Sequence, residues 1–280
     1  MSTFDPAWLR LREPADSAAR ASVLERLLKT ALPAREPLSI IDLAAGTGSN
    51  LRYLAPRLGG SQAWRLVDAD ADLLAAVSDH LAAHGWELAD DGRLAQGHGV
   101  RARIATEARD LARDAVPADA DLVTASALLD LVSGAWIDRL AAACAASGAA
   151  ALLTLSVDGT LAWEPVAELD GEVRALVNRH QQRDKGFGPA LGPHAPQAAV
   201  AAFERHGYGV ETAASPWRLG PGDAQLQQHL HAGWASAASA VAPDREAAIH
   251  DWLAHRMDLL AAGIGSVEVG HLDVLALPGG

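Results

Sequence analysis

A glycine-containing turn and the acids near it are the residues of this chain whose types and spacing could bind a nucleotide-like ligand. The turn has the sequence AAGTGSN over positions 44–50 and directly follows the apolar segment LSIIDL. Gly46 and Gly48 let a ligand approach the backbone, and the free amides at the start of the next helix favour a carboxylate or phosphate. Asp68 ends the next predicted strand, about twenty residues on, where a carboxylate can accept both ribose hydroxyls. We therefore expect a nucleotide-like cofactor at this turn.

The glycine spacing bears on the class of cofactor. A dinucleotide-binding Rossmann fold requires G-x-G-x-x-G, and here the third glycine position is Leu51. This departure weakens the interpretation as an NAD(P)-dependent oxidoreductase, which is kept as an alternative.

The segment Asp42-x-Ala44-x-Gly46-x-Gly48 resembles motif I, D/E-x-G-x-G-x-G, of the class I S-adenosylmethionine-dependent methyltransferases. The chain departs from the motif at its first glycine, which is alanine here. The resemblance covers most of the chain and is to members that act on small molecules. It implies S-adenosyl-L-methionine as cofactor and an enzyme that methylates an oxygen or nitrogen of a small polar or aromatic metabolite. A catalytically silent module that binds the cofactor or a partner chain is a further alternative.

The resemblance also implies which residues surround the cofactor. The turn and the acid before it would surround the methionyl end, and the acid after the second strand would hold the ribose. The acid after the third strand would contact the adenine amino group, and the residues after the fourth strand would lie beside the sulfonium. Arg20 could reach the cofactor carboxylate, although an exposed arginine on an amphipathic helix is the commoner arrangement. The predicted cofactor-binding residues are Arg20, Asp42, Ala44, Ala45, Gly46, Thr47, Gly48, Asn50, Asp68, Ala69, Asp110, Leu111, Ser126 and Ala127.

For the methyl acceptor, the resemblance implies a pocket built from the N-terminal cap and from segments after the fourth and fifth strands. The densest polar group in those segments lies over 178–185 and runs into Gly-Phe-Gly at 186–188. We expect His180 or His194 to act as a general base, with a solvated helix end and an ordinary loop as the alternative. The other predicted acceptor residues are Asp130, Trp163, Asn178, Gln181, Lys185, Phe187 and Trp217.

The elements that must position these residues alternate between strand and helix. Apolar runs that predict strands lie at 38–43, 63–67, 100–106, 120–125 and 149–157, with helical patterns between most of them. Such alternation predicts an α/β fold with a Rossmann-like, seven-stranded, mostly parallel sheet and helices on both faces. Beyond Asp158 we expect helices at 165–183, 197–206 and 223–262, and strands at 208–214 and 267–277, the last two strands antiparallel to each other.

The domain organisation follows from the same pattern. Residues 1–36 are expected to form a helical N-terminal cap and 37–280 a methyltransferase domain. Within that domain, 159–196 would supply acceptor-side elements and 222–263 a helical insertion. The insertion could also support a homodimer.

Composition excludes several classes of protein. The chain has 280 residues and a formal net charge of −12, which argues against a nucleic-acid partner. Base amino-methyltransferases carry Asn/Asp-Pro-Pro-Tyr/Phe after the fourth strand, whereas this chain reads SALLD at 126–130. It has no run of about 20 uncharged apolar residues, and residues 1–5 lack the layout of a signal peptide, so we expect a cytoplasmic protein without membrane association.

No metal is expected. His80 and His84 lie one helical turn apart, but no third ligand is evident near them. Asp130 and Asp158 follow neighbouring strands, yet the Asp-Asn pair of the metal-dependent catechol-type enzymes is missing after the fifth strand. The single cysteine, Cys144, lies in an alanine-rich stretch and is expected to be a small core residue.

Overall fold

The apolar segments of the chain form one continuous sheet in the computed structural model, which describes residues 5–279. Residues 1–4 and 280, at the outer ends of the predicted cap and domain, lie outside the described residues. The strands in chain order are β1 (Leu38–Leu43), β2 (Gly60–Asp68), β3 (Glu87–Ala89), β4 (Leu94–Gly97), β5 (Val100–Ala108), β6 (Leu122–Ser126), β7 (Ala150–Glu164), β8 (Tyr208–Ala214), β9 (Trp217–Leu219) and β10 (Ser266–Pro278).

Five parallel strands make the centre of this sheet. β1 pairs in parallel with β2 and β6, β2 pairs with β5, and β6 pairs with β7. At one end, β10 lies antiparallel between β7 and β8. The order over these strands is β5-β2-β1-β6-β7-β10-β8. The predicted seven-stranded, mostly parallel sheet with an antiparallel last strand is therefore confirmed.

Three short strands extend the sheet beyond the prediction. β3 and β4 form a hairpin beside β5, and β9 pairs with β10. The turn of the hairpin places Asp90 and Asp91 at positive φ. A strand pattern of period two becomes recognisable over about four to eight residues, and β3 and β9 have three each. β3 and β9 are therefore too short to be recognised in the sequence, and β4, with four residues, lies at the lower limit.

Helices cover both faces of the sheet, and the predicted cap and insertion are each divided into two α-helices. The helices are α1 (Pro6–Ala19), α2 (Ser22–Ala31), α3 (Ser49–Leu58), α4 (Ala71–Ala75), α5 (Val77–Ala83), α6 (Gly134–Ser147), α7 (Asp170–Gln181), α8 (Ala195–Arg205), α9 (Ala224–Val241) and α10 (Glu246–Ala261). The chain leaves the helical region at Arg20, between α1 and α2, which together we call the cap. Pro243 lies two residues after the end of α9, and its missing N–H interrupts the insertion before α10.

The core consists of three buried clusters, one on each face of the sheet and one beneath the insertion. Trp136 and Phe203 lie in the first cluster, Leu54 and Trp64 in the second. The first also contains Cys144, which is fully buried as expected, and burial raises the pKa of its thiol to about 12. Four tryptophans of the third cluster attach the insertion to β7, β9 and β10: Trp163, Trp217, Trp234 and Trp252.

A buried carboxylate ties the cap to the sheet. Asp273 of β10 is 1% exposed. Its Oδ2 accepts a hydrogen bond from the Ala21 amide between α1 and α2, at 3.1 Å. Its Oδ1 accepts from the Leu155 amide of β7 at 2.7 Å and from the Ser215 hydroxyl at 2.5 Å. Leu155 has a φ of +56°. One side chain therefore holds the cap, an unfavourable turn of β7 and the segment before β9.

Asp273→Asn is expected to lower the free energy of unfolding by about 2–3 kcal/mol, because the asparagine amide cannot serve all three buried donors. Urea unfolding measures this loss, and hydrogen exchange should accelerate first in α1 and α2. Asp138→Asn is the matched control, since Asp138 forms an exposed ion pair with Arg205. Equal effects of the two substitutions would contradict the role of Asp273.

Candidate functional site

The carboxyl ends of the parallel strands border a cavity of about 470 Å³, called the first cavity here. Leu9, Arg12 and Asp16 of α1 also line it, so the cap covers the turn that follows β1. Lys185 and Phe187 also line it. Twelve of the predicted cofactor-binding residues line this cavity: Asp42, Ala44, Ala45, Gly46, Thr47, Asn50, Asp68, Ala69, Asp110, Leu111, Ser126 and Ala127.

The turn after β1 depends on backbone conformations that side chains disfavour. Ala44, Gly46 and Gly48 have φ values of +53°, +54° and +77°. Glycine adopts such values without strain, whereas the Ala44 methyl group makes the conformation costly. A Cβ on Gly46 would lie 3.6 Å from Leu9 Cδ1 of the cap. Gly48 precedes α3 as its N-cap residue and does not line the first cavity.

Asp68 and Asp110 are held at the cavity by backbone amides. Asp68 Oδ2 accepts from the Gly46 amide at 2.8 Å, and its Oδ1 accepts from the Asp70 amide at 2.9 Å. Asp110 Oδ1 accepts from the Ala112 amide at 3.0 Å. Since each carboxylate oxygen can accept more than one hydrogen bond, both side chains are fixed and can still accept from a ligand.

Asp42 lies at the base of the first cavity in a buried polar network. Its Oδ1 accepts from Asn50 Nδ2 at 2.8 Å, and Arg20 Nη1 donates to Asn50 Oδ1 at 2.8 Å. Burial raises the pKa of Asp42 to about 7; the nearby Asp68 charge adds to this rise, while the Asn50 hydrogen bond and Arg20 oppose it. Asp42 Oδ2 has no hydrogen-bond partner among the described residues.

Arg20 is buried next to a residue of the first cavity without lining that cavity itself. It is 8% exposed, its guanidinium lies 4.5 Å from the ring centroid of Tyr53, and it does not line the first cavity. Its Nη1 atom contacts Asn50 instead. Arg20 therefore contacts a residue of the cavity wall and is not exposed on an amphipathic helix.

A second cavity of about 170 Å³ lies beside the first and shares Arg12, Ala127 and Leu131 with it. Its wall contains four of the predicted acceptor residues, namely Asp130, Asn178, Gln181 and Trp217. Lys185 and Phe187 line the first cavity instead.

The expected histidines are placed elsewhere. His180 and His194 line neither cavity. Asn178 and Gln181 are nearly one helical turn apart on α7 and face the second cavity, so His180 points away from it. His194 is exposed before α8. Neither histidine is positioned as a general base for a ligand in these cavities, contrary to the expectation. Trp163 is also absent from both walls, and its Nε1 donates to His231 Nε2 at 3.0 Å.

Several residues of the second cavity were missed in the sequence. Arg12 Nε donates to Asp16 Oδ2 at 2.9 Å, and the Arg12 guanidinium lies 5.1 Å from the ring centroid of Trp217. The four-residue spacing of Arg12 and Asp16 on a helix was the available signal. His271 interrupts the apolar last strand and is buried against Trp217, with ring centroids 5.1 Å apart. Trp8 and Trp234 complete the aromatic part of the wall.

Two further observations concern metals and membranes. Among residues 5–279, no group of three or more His, Cys, Asp or Glu side chains is arranged to hold a metal ion. His84 Nδ1 lies 2.7 Å from the backbone carbonyl of His80. None of the helices within the described part of the chain is long and apolar enough to cross a membrane.

Comparison with known proteins gives structural relatives only. No protein-family model and no curated protein matches the chain. A candidate methyltransferase from Bacillus halodurans is similar, with a TM-score of 0.52, 12% identity and coverage of 93% of this chain and 100% of that one. A SAM-dependent methyltransferase from Geobacter sulfurreducens, solved with S-adenosylhomocysteine, has a TM-score of 0.48, 14% identity and coverage of 98% of each chain. The cyclopropane synthase MmaA2 from Mycobacterium tuberculosis has a TM-score of 0.49, 11% identity and coverage of 96% of this chain and 94% of that one.

At these sequence identities the similarity concerns the fold alone. It rests on the structure from Bacillus halodurans, whose TM-score is 0.52. The strand order and the antiparallel β10 agree with the fold expected from motif I. The chain has the Rossmann-like fold of the class I S-adenosylmethionine-dependent methyltransferases.

Proposed function

We propose that the protein is an S-adenosylmethionine-dependent methyltransferase that acts on a small molecule. The observation that carries the proposal is the meeting of the motif I turn and the strand-end acids in one cavity, which shares wall residues with a second one. The volume of the first, about 470 Å³, lies in the range of roughly 300–1,000 Å³ that is usual for small-molecule sites.

The residues present fit the methyl donor. Asp42 Oδ2 is a buried acceptor without a partner among the described residues, and a ligand ammonium group would satisfy it. Asp68 is fixed where it can accept from ribose hydroxyls, and Asp110 where it can accept from the adenine amino group. These roles follow the resemblance to motif I and its companion acids.

The donor supplies a methyl group that is already activated by its positively charged sulfur. The remaining task of the protein is to place an acceptor in line with that methyl group and to exclude water. The cap suits this task because Arg12 contributes to the walls of both cavities and Leu9 lies over Gly46. Ala127, which also lines both cavities, marks the boundary across which transfer would occur.

Calorimetry with S-adenosylmethionine and S-adenosylhomocysteine is expected to detect binding of both. Incubation with methyl-labelled S-adenosylmethionine and a metabolite extract should then place label in a small product. Binding without transfer would favour the silent module, and stabilisation by NAD or NADP alone would favour the oxidoreductase. If calorimetry detects no heat with S-adenosylmethionine and none with S-adenosylhomocysteine, the proposal is contradicted.

Asp42→Asn is expected to weaken S-adenosylhomocysteine binding at least about tenfold, because one charge-assisted hydrogen bond to the ligand is lost. The same substitution tests the pKa of Asp42. The folded-state pKa is about 7 and the ordinary value is 3.8, so between these values the native protein keeps a proton that the unfolded chain has released. Wild-type stability attributable to this group therefore falls as pH rises from about 4 to about 7.

Without ligand, the Tm of Asp42→Asn should therefore rise relative to the wild-type Tm as pH increases from about 4 to about 7. Above pH 7 the difference between the two Tm values should level off. Thermal unfolding at a series of pH values measures it. Asp138→Asn, in an exposed ion pair and outside the walls of both cavities, should show no such trend. A Tm difference that stays constant with pH would be inconsistent with a buried, proton-holding Asp42.

A further inference from the structure

The second cavity has the size and lining of a site for a small apolar group. Its volume is about 170 Å³, and a cavity of about 150 Å³ is known to hold benzene. Trp8, Trp217 and Trp234 contribute aromatic surface to its wall, together with Leu131 and Leu161. An acceptor molecule with an apolar body of about one six-membered ring therefore matches this space.

Two polar atoms of the same wall are buried without a hydrogen-bond partner within residues 5–279. Gln181 Oε1 is an acceptor, and His271 Nδ1 accepts in one tautomer and donates in the other. Asp130 adds a carboxylate. Asn178 differs, since its Nδ2 already donates to the Gly159 carbonyl at 2.9 Å. Because unpaired buried acceptors are costly, this wall favours a ligand that brings hydrogen-bond donors.

The charges around both cavities disfavour an anionic acceptor. Arg12 is the basic residue of the second cavity, and it already forms two hydrogen bonds to Asp16, at 2.9 and 3.1 Å. Acids outnumber bases in the combined walls. The acids are Asp16, Asp42, Asp68, Asp70, Asp72, Asp110 and Asp130, and the bases are Arg12, Arg109 and Lys185.

Among the described residues, no histidine of this wall is a strong base of the kind that a hydroxyl acceptor would need, and the one carboxylate of the wall is that of Asp130. His180 and His194 lie outside it, and His271 is its one histidine. Burial, together with the charge of Arg12, lowers the pKa of His271 to about 4, so the ring is neutral at pH 7 and a weak proton acceptor. An amine nitrogen needs no deprotonation once it is neutral, because its lone pair is the nucleophile.

We infer, on the basis of the methyl transfer proposed above, that the methyl acceptor is a neutral primary or secondary amine on a small apolar body bound in the second cavity. The nitrogen lone pair forms the N–CH₃ bond, and the electrons of the S–CH₃ bond remain on sulfur to give the thioether. Positive charge passes from sulfur to nitrogen, and the product is an N-methylammonium ion. The amine enters neutral, so no proton acceptor is required in this step.

Asp130 is the residue that we expect to stabilise the positive charge that forms on nitrogen. Its carboxylate lines the same cavity as three tryptophans, and both kinds of group stabilise a cation. Burial raises the pKa of Asp130, whereas its backbone hydrogen bond and the charges of Arg12 and Lys185 oppose the rise. The cationic donor would favour the ionised carboxylate further.

A series of matched probes tests the inference. Aniline, benzylamine and phenethylamine are compared with phenol, benzyl alcohol, phenethyl alcohol and benzoate. Calorimetry on the S-adenosylhomocysteine complex measures binding, and mass spectrometry after incubation with S-adenosylmethionine measures methylation. We expect at least one amine to bind and to be N-methylated at least about tenfold faster than its hydroxyl counterpart, and benzoate to do neither.

Asp130→Asn should lower the rate of amine methylation at least about tenfold while S-adenosylhomocysteine affinity stays within about twofold of wild type. Asp138→Asn is the control and should change neither quantity. Failure of every amine to bind the complex, preference for an alcohol or benzoate, or an unchanged rate in Asp130→Asn would overturn the inference. In all three cases intact S-adenosylhomocysteine binding separates this failure from failure of the proposed function, which would abolish that binding.

Discussion

The assembly of the site depends on how the cap is attached to the sheet, and the buried carboxylate of Asp273 is the central attachment. It accepts from the Ala21 amide, where α1 passes into α2. A second attachment joins Glu13 of α1 to Arg52 of α3, at 2.7 Å between Oε2 and Nη2. Both contacts position α1 above the turn after β1. They hold the helix that supplies Leu9, Arg12 and Asp16 to the first cavity and Trp8 and Arg12 to the second.

A second constraint is the sharp reversal of the chain at the ends of the parallel strands. Ala44 after β1 and Ala127 after β6 both have positive φ, at +53° and +54°. Each residue lines the first cavity, and Ala127 lines the second as well. Small side chains are needed here because the backbone itself forms the cavity surface. The strain is held in place by hydrogen bonds such as that from the Ala127 amide to the Thr154 carbonyl, at 2.9 Å.

Much of the central sheet could be predicted because its strands are continuous apolar runs bounded by turns. β1 and β8 were predicted with the bounds that are observed. The strand-end acids could be identified because parallel strands bring their carboxyl ends to one edge. Leu51, which occupies the third glycine position of the dinucleotide motif, is fully buried in the core.

The second cavity was predicted less well, since its residues come from distant parts of the chain. His271 belongs to β10 and Trp8 to α1, and no spacing in the sequence relates them. His180 was favoured because it lies in a polar segment, but the side of α7 that faces the cavity is decided by the packing of Val173, Leu176 and Val177 in the core. Polar density in a sequence does not specify which face of a helix turns inward.

The state of Cys144 has a practical consequence for following the cap in solution. Its thiol is fully buried and its pKa is raised to about 12, so almost no thiolate exists to react with maleimide or iodoacetamide reagents. A cysteine introduced at the exposed position of Arg10 would therefore be the single site modified in the folded protein. A fluorophore attached there reports on α1 alone, without prior removal of the natural cysteine.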